Sequence, residues 1–141
     1  MVLRYCYVTV PHADGTTSRV PLIPITLIGK VPVTVYAVVD SGADACALPL
    51  RLAELLGLPL TGEKERSFGI GGFIESVEST VVVALQQGRE RHQFTIPMSI
   101  MLSHHTFPVL LGQKGFFDKF IIKFNNRKNK FSLKRCRKLL L

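Results

Sequence analysis

The stretch Val38-Val39-Asp40-Ser41-Gly42-Ala43-Asp44 places an acidic turn directly after an apolar run. The residues before it, 31–39, are rich in β-branched side chains, which favour a buried strand. Ser41 and Gly42 can fix the turn through side-chain and backbone hydrogen bonds. Asp40 is therefore predicted to be presented at a strand end with little conformational freedom. A lone Asp-Ser-Gly more often only caps a turn, so the function of this triplet depends on the rest of the chain.

The segments on either side of this turn have clear local signals. Residues 20–28 and 31–39 are β-branched runs around Gly29-Lys30, which predicts a hairpin. After the turn, residues 50–56 have helical apolar spacing, with Pro49 near the first turn and Gly57 as a C-terminal cap. We therefore expect a strand, the Asp40 turn and then one short helix.

The rest of the chain alternates strand-like runs with turn signals, as all-β domains do. Residues 67–74 hold three glycines flanked by aromatic residues and predict a hairpin tip. The further predicted elements are strands at 77–85, 94–102 and 109–111, a helical turn at 113–119, and a hairpin formed by 120–124 and 130–134. The predicted fold class is mainly β with one or two short helices.

Composition limits the number of domains and the kinds of partner. The chain has 141 residues and is 47% hydrophobic, which suffices for one ordinary core. We expect one domain over 1–134 and a basic tail over 135–141. The net charge of +8 is concentrated from Lys114 onward, where ten bases face one acid, Asp118. The tail could contact nucleic acid, an acidic partner or an anionic surface, but a solvated end is favoured.

The expected location is the cytoplasm. No run reaches the roughly 18 apolar residues of a membrane span, and residues 1–7 have no signal-peptide pattern. The three cysteines, Cys6, Cys46 and Cys136, are an odd number in no metal-ligand spacing, which favours reduced thiols. Cys46 has no basic neighbour in sequence to activate it, so we expect a small buried side chain. No metal site is predicted, and His104-His105 are assigned to a surface turn.

Three ordered motifs resemble the retropepsins, the single-domain aspartic proteases of retroviruses and their relatives. Their Asp-(Ser/Thr)-Gly-Ala core is similar to residues 40–43, their flap to residues 69–74, and their apolar-apolar-Gly signature to residues 110–112. The resemblance extends over about residues 20–134 and implies a closed β-barrel with a flap hairpin, which forms one half of a complete acid protease. The glycines at 69–72 could also suggest a phosphate loop, but they lead into a strand instead of a helix.

The resemblance implies an aspartic endopeptidase without a cofactor that acts on a peptide or protein. Its chemistry needs two carboxylates that share one proton. This chain has one such residue, Asp40, because Asp14 precedes Gly15-Thr16 in the wrong order and Asp118 lies in a basic turn. The second carboxylate must come from another copy, so we predict an obligate homodimer.

The remaining roles follow from the resemblance alone. Ser41 is similar to the hydroxyl that bonds across the dyad, and Gly42 to a group that holds the substrate main chain. The substrate-binding candidates, each of which also has a plain structural interpretation, are Ala43, Asp44, Leu48, Phe68, Gly69, Ile70 and Leu110.

Two departures from the viral pattern leave alternatives open. The viral enzymes usually place an Arg after the apolar-apolar-Gly signature, where it pairs with the residue equivalent to Asp44; here Gln113 takes that position. In those enzymes the termini also form much of the dimer interface, and this chain is extended at its C-terminus. The alternative function is a catalytically silent dimer that binds peptides or partners, and a nucleic-acid adaptor is a third hypothesis.

Overall fold

Twelve strands and one α-helix make up the regular structure of residues 2–137, the part of the chain that this computed structural model describes. Most of the predicted basic tail, from residue 138 onward, lies outside the described residues. In chain order the elements are β1 (Val2–Cys6), β2 (Val8–Pro11), β3 (Thr17–Val20), β4 (Leu22–Ile28), β5 (Pro32–Val39), β6 (Cys46–Pro49), α1 (Leu50–Leu56), β7 (Lys64–Gly69), β8 (Gly72–Gln87), β9 (Glu90–Met101), β10 (Val109–Leu111), β11 (Phe120–Asn125) and β12 (Lys130–Arg135).

Seven strands form the main sheet, in the order β4-β5-β10-β6-β9-β8-β7, and an additional pairing of β4 with β8 closes it into a barrel. Strand β10 lies between β5 and β6, parallel to the first and antiparallel to the second. This arrangement brings the end of β5, the start of β6 and the end of β10 to one place. The turn after β5 is therefore held between two other strands.

Buried and less buried side chains alternate along the strands of the barrel, so that one face of each strand packs in a common core. In β4 the residues Ile23, Ile25 and Leu27 are buried while their neighbours are less so. In β9 the same alternation buries every second residue from Phe94 to Ile100. A period of two places one face of each strand in the core. The predicted mainly β class is confirmed.

Helix α1 ends where the sequence predicts. Gly57 adopts a left-handed conformation with φ of +71°, and its backbone N–H donates to the Glu54 carbonyl at 3.0 Å. Leu58 N–H donates to the Ala53 carbonyl at 3.0 Å, which completes a Schellman-type cap. The helix buries Ala53 and Leu56 against the barrel.

The predicted helical turn at 113–119 is wrong as a helix, because this segment forms successive turns. Gly115 has φ of +101°, which an α-helix cannot contain. The other short helical element is a 3₁₀ turn at Asn126–Lys128, between β11 and β12.

The N-terminal segment forms structure that the sequence signals did not indicate. Strand β1 pairs with β12, giving a separate three-stranded sheet in the order β1-β12-β11, and β2 pairs with β3 in a hairpin. Strand β1 carries mixed polar and apolar residues, so its position depends on β12, which lies about 130 residues later in the chain. Among residues 2–137, no helix is long and apolar enough to cross a membrane.

Candidate active site

Asp40 lies immediately after the last residue of β5. Its backbone N–H donates to the Leu111 carbonyl of β10 at 3.0 Å, and its carboxylate Oδ1 accepts from the Gly42 N–H at 2.9 Å. The side-chain bond is that of an Asx turn, which orients the carboxylate relative to the loop. Asp40 is half-buried, whereas Ser41, Gly42 and Asp44 are exposed.

The Asp40 loop is fastened to the residues that follow β10. Gln113 N–H donates to the Ala43 carbonyl at 2.8 Å, and Lys114 N–H donates to the Asp44 carbonyl at 2.9 Å. The side-chain Nε2 of Gln113 also donates to the Ser41 carbonyl at 2.7 Å. Three hydrogen bonds therefore hold the backbone of residues 41–44 against the segment that follows β10.

Gly112 allows these two segments to approach each other closely. A Cβ atom at this position would lie 2.4 Å from the Ala45 carbonyl oxygen and 2.6 Å from that of Ala43. Both distances are below van der Waals contact, and both atoms belong to the backbone, which cannot swing away. The glycine of the apolar-apolar-Gly motif is thus required by the packing of the site.

Cys46 lies beneath the loop and is fully buried, as the sequence predicts. Its Sγ accepts from the Gly112 N–H at 3.3 Å and donates to the Lys114 carbonyl at 3.5 Å. Burial raises the pKa of the thiol, so it stays protonated and unreactive at neutral pH. Cys46 supports the loop.

The two carboxylates rejected as a second site are engaged in turns. The Asp14 carboxylate accepts from the Thr16 hydroxyl at 2.6 Å and from its N–H at 2.9 Å, and these bonds lower the pKa of Asp14. The Asp118 carboxylate accepts from the Gly115 N–H at 2.9 Å. Each shapes its own local turn.

The predicted hairpin tip extends from the barrel between β7 and β8. Gly71 and Gly72 have φ of +96° and +135°, conformations that L side chains rarely adopt. Ile70 is fully exposed at the tip, and Phe68 faces Phe73 with ring centroids 5.8 Å apart. This arm presents apolar side chains and free backbone groups to the space beside the barrel.

A concavity of about 460 Å³ lies between this arm and the barrel. The predicted residues Phe68, Gly69, Ile70 and Leu110 line it. Leu48 does not, because its side chain is fully buried in the core, and the neighbouring Ala47 lines the wall. Ala43 is half-buried in the Asp40 loop and is not among the lining residues.

Sequence reasoning missed His105 and Phe107, which also line this concavity. They lie on the connection between β9 and β10, which has no regular structure. The sequence predicted only a surface turn there, at His104-His105. The apolar Phe107-Pro108 directly before β10 was the available signal, because β10 ends at the Asp40 loop.

A second concavity, of about 590 Å³, opens on the other side of Asp40. Asp40, Ser41 and Val39 form one wall, and Arg19, Tyr7 and other residues of β3, β11 and the turns beside them form the rest. Among the described residues that line this concavity, Asp40 is the only acid.

A protein family and several solved structures are similar to this chain. Residues 23–114, well over half of the chain, match the family described as aspartyl protease. The crystal structure of a retropepsin-like aspartic protease from Rickettsia conorii is similar over 94% of this chain and 91% of its own, with a TM-score of 0.58 and 19% identity. The EIAV protease, solved in complex with the inhibitor HBY-793, covers 73% of this chain and 88% of its own, with a TM-score of 0.41 and 18% identity. No curated protein sequence matches the chain.

The matched segment contains the strand that presents Asp40, the flap-like arm and the Leu110-Leu111-Gly112 motif. The predicted resemblance is confirmed: the chain belongs to the aspartyl protease family and has a retropepsin-like fold.

Proposed function

We propose that this protein is an aspartic endopeptidase whose catalytic dyad consists of Asp40 from each of two identical chains. The observation that supports this most is the position of Asp40. Its carboxylate follows a strand whose last residue, Val39, is buried, belongs to a loop fixed by three hydrogen bonds from Gln113 and Lys114, and lines an open concavity. A capping residue would not need such a rigid support or an open approach.

The chemistry requires one ionised and one protonated carboxylate within a few ångströms. The ionised carboxylate takes a proton from water, while the protonated one polarises the scissile carbonyl. Two like charges that close cannot both be present, so the pair shares one proton. A two-fold axis between two Asp40 loops supplies two equal groups, and the proposed active form is therefore an obligate homodimer.

The loop and the arm supply the other proposed roles. The Ser41 hydroxyl bonds to the opposite loop, and Gly42 and Asp44 hold the substrate main chain. Ile70 and Gly69 offer backbone groups from the arm. Phe68, Leu110 and Ala43 contact substrate side chains, and Leu48 supports this wall from the core. An extended peptide with apolar side chains fits these surfaces.

The test is the digestion of an unfolded protein or a peptide library at pH about 4 to 7, where carboxylate dyads work. Asp40→Asn should lower the cleavage rate by about 10²–10⁴-fold, the range for removal of a general acid–base. Asp14→Asn is the matched control, because it makes the same chemical change in an exposed turn and should leave the rate unchanged.

Two outcomes contradict the proposal. Cleavage by Asp40→Asn at the wild-type rate would mean that another group or a contaminant does the chemistry. Absence of cleavage by the wild type, in protein shown to be dimeric, would favour the alternative function of a silent peptide-binding dimer.

A further inference from the structure

The three-stranded sheet β1-β12-β11 has an inner and an outer face. Its inner residues, such as Leu3, Phe131 and Leu133, are buried in the core. The residues between them point outward, and the register places them in three rows with one residue from each strand. In the order β1, β12 and β11, the rows of this outer face are Val2, Lys134 and Ile121, then Arg4, Ser132 and Lys123, then Cys6, Lys130 and Asn125.

Positive and neutral residues alternate on the outer face. The four cations surround Ser132 and are Arg4, Lys123, Lys130 and Lys134. Like charges directly opposite each other destabilise a sheet, and here every cation faces only neutral residues across the strands. Arg4 and Lys123 lie two strand spacings apart, about 10 Å, and Lys130 and Lys134 lie four residues apart, about 13 Å. The charge is therefore spread in two dimensions.

The outer face carries one sign of charge. Its four cations are exposed, and none of the ion pairs among residues 2–137 includes any of them. The turn beside Asn125 adds the exposed Arg127 and Lys128. Between residues 119 and 137 there are eight Lys or Arg and no acid. Composition alone favoured a solvated end, and the strand register is what gathers this charge on one face.

A side chain from the barrel covers the edge of this sheet at β1 and holds the sheet in place. The Arg4 N–H donates to Gln87 Oε1 at 3.0 Å, and the Arg4 carbonyl accepts from Gln87 Nε2 at 2.6 Å. These bonds use only the backbone of Arg4, so its guanidinium remains on the outer face. The positions of the cations are thus fixed relative to the barrel.

We infer that the outer face of this sheet binds the surface of an anionic lipid bilayer. A bilayer presents its negative charge in a plane, which matches cations spread in two dimensions, whereas the phosphates of a nucleic acid follow its strands. Surfaces that bind single strands also stack bases on aromatic side chains, and none of the nine residues of the outer face is aromatic. The inference goes beyond the proposed function and does not depend on it.

Apolar residues accompany the cations, as on proteins that bind a lipid surface. Ile121 is 53% exposed in the same row as Lys134. After β12 the sequence continues through Arg137-Lys138-Leu139-Leu140-Leu141, which adds two cations and three leucines. This combination favours a lipid bilayer over a purely polar polyanion.

The experiment measures how the full chain partitions onto vesicles of mixed phosphatidylserine and phosphatidylcholine in a co-sedimentation assay. Vesicles of phosphatidylcholine alone are the uncharged reference. Binding should require the anionic lipid and should weaken as salt is added. Lys123→Gln/Lys134→Gln should lower the partition coefficient about 25-fold, because each cation near an anionic surface contributes a factor of about five, equivalent to about 1 kcal/mol.

Lys30→Gln/Arg51→Gln is the matched control for this double variant. It removes the same net charge from two exposed residues, one in the turn between β4 and β5 and one on α1. Neither residue belongs to the outer face, so the partition coefficient should stay nearly unchanged. Circular dichroism of both variants checks that they are folded.

A label on Cys6 tests the orientation without changing any charge. Cys6 is exposed at a corner of the outer face, whereas Cys46 is buried. In a Cys136→Ser background, a fluorophore on Cys6 should become shielded from an aqueous quencher when anionic vesicles are added. The same fluorophore on Leu55→Cys, in a Cys6→Ser/Cys136→Ser background, should stay accessible, because Leu55 is exposed on α1.

Four results would overturn the inference. These are equal partition onto uncharged vesicles, equal losses in the two double variants, shielding of the label at Leu55 instead of Cys6, and binding to an oligonucleotide with none to anionic vesicles. The last result would assign the outer face to nucleic acid. Peptide cleavage by a protein that does not bind anionic vesicles would contradict this inference and leave the proposed function standing.

Discussion

Gly112 and Gln113 support the Asp40 loop in different ways. Gly112 acts through the absence of a side chain, which lets the backbone after β10 contact Ala43 and Ala45. Gln113 acts through its amide, which donates to the Ser41 carbonyl. The sequence shows that the arginine of the viral pattern is missing here. Only the structure shows that the glutamine contributes a neutral hydrogen bond to the loop instead.

Gly112→Ala should lower the stability of the protein by about 1–3 kcal/mol, the range for forcing extra atoms into a packed site. The physical reason is that the nearest atoms are backbone carbonyl oxygens at 2.4 and 2.6 Å, which can move only with the whole loop. Chemical denaturation followed by fluorescence or circular dichroism measures the effect.

Gly62→Ala is the matched control, because the nearest atom to a Cβ there is the Glu78 carbonyl oxygen at 3.5 Å, an ordinary contact. It should change stability by less than about 1 kcal/mol. Equal effects of the two substitutions would show that the close approach at Gly112 has no energetic importance.

The element with the clearest local signal is the arm formed by β7 and the start of β8. Its strands pair in register from Lys64↔Val77 to Gly69↔Gly72, so Ile70 and Gly71 form the tip. No atom lies within 4 Å of a Cβ at Gly71 or Gly72, and their positive φ is the constraint on both positions. The glycines are required by backbone conformation and not by packing.

Gly71→Ala/Gly72→Ala should lower kcat/KM by about tenfold or more while it leaves the melting temperature nearly unchanged. A left-handed conformation costs an L residue about 1–2 kcal/mol, and each 1.4 kcal/mol in the barrier is a factor of ten in rate. The tip is exposed, so this strain should affect substrate closure more than global folding.

Gly88→Ala serves as the comparison in steady-state peptide assays. Gly88 also has a positive φ, of +60°, with open space around it, but it lies in the β8–β9 turn. Its substitution should leave kcat/KM unchanged. An equal loss of activity in both variants would assign the effect to general destabilisation instead of the arm.

For the whole molecule, the main property is the combination of the proposed half-site at Asp40 with a net charge of +8. If two copies must meet, activity depends on the dimer dissociation constant as well as on the chemistry. Because most of the excess positive charge lies from Lys114 onward, in the part of the chain that holds β11 and β12, this part contributes most of the repulsion between two copies.

The specific activity of the protein should rise with enzyme concentration, and more steeply at low salt. Lys123→Gln removes one charge from each β11 strand, so it should raise specific activity at low salt and reduce the effect of added salt. Activity assays over a dilution series at several ionic strengths measure both.

Lys30→Gln is the charge-matched control for this prediction. Lys30 is exposed in the turn before β5, at the opposite end of that strand from Asp40. It should not alter the salt dependence. Specific activity that stays constant on dilution to concentrations at which analytical ultracentrifugation shows a monomer would contradict the need for a second copy.

The sequence by itself determined the local features of this protein. The strand before Asp40, the end of α1 at Gly57 and the hairpin tip at residues 69–72 depend on β-branching, capping and glycine conformation, which act over a few residues. The sequence was wrong in predicting that this strand is buried throughout, because β5 buries only Ala37 and Val39. The order of the three motifs was enough to indicate the family.

Only the tertiary structure decided how the Asp40 loop is supported and which edge of the sheet β1-β12-β11 is covered by another side chain. The Gln113–Ser41 bond joins residues 72 positions apart, and the Gln87–Arg4 bonds join residues 83 positions apart. The second of these closes the edge at β1, whereas β11 pairs only with β12 among residues 2–137. Such contacts have no local signal, because barrel closure brings the partners together after each segment has satisfied its own preferences.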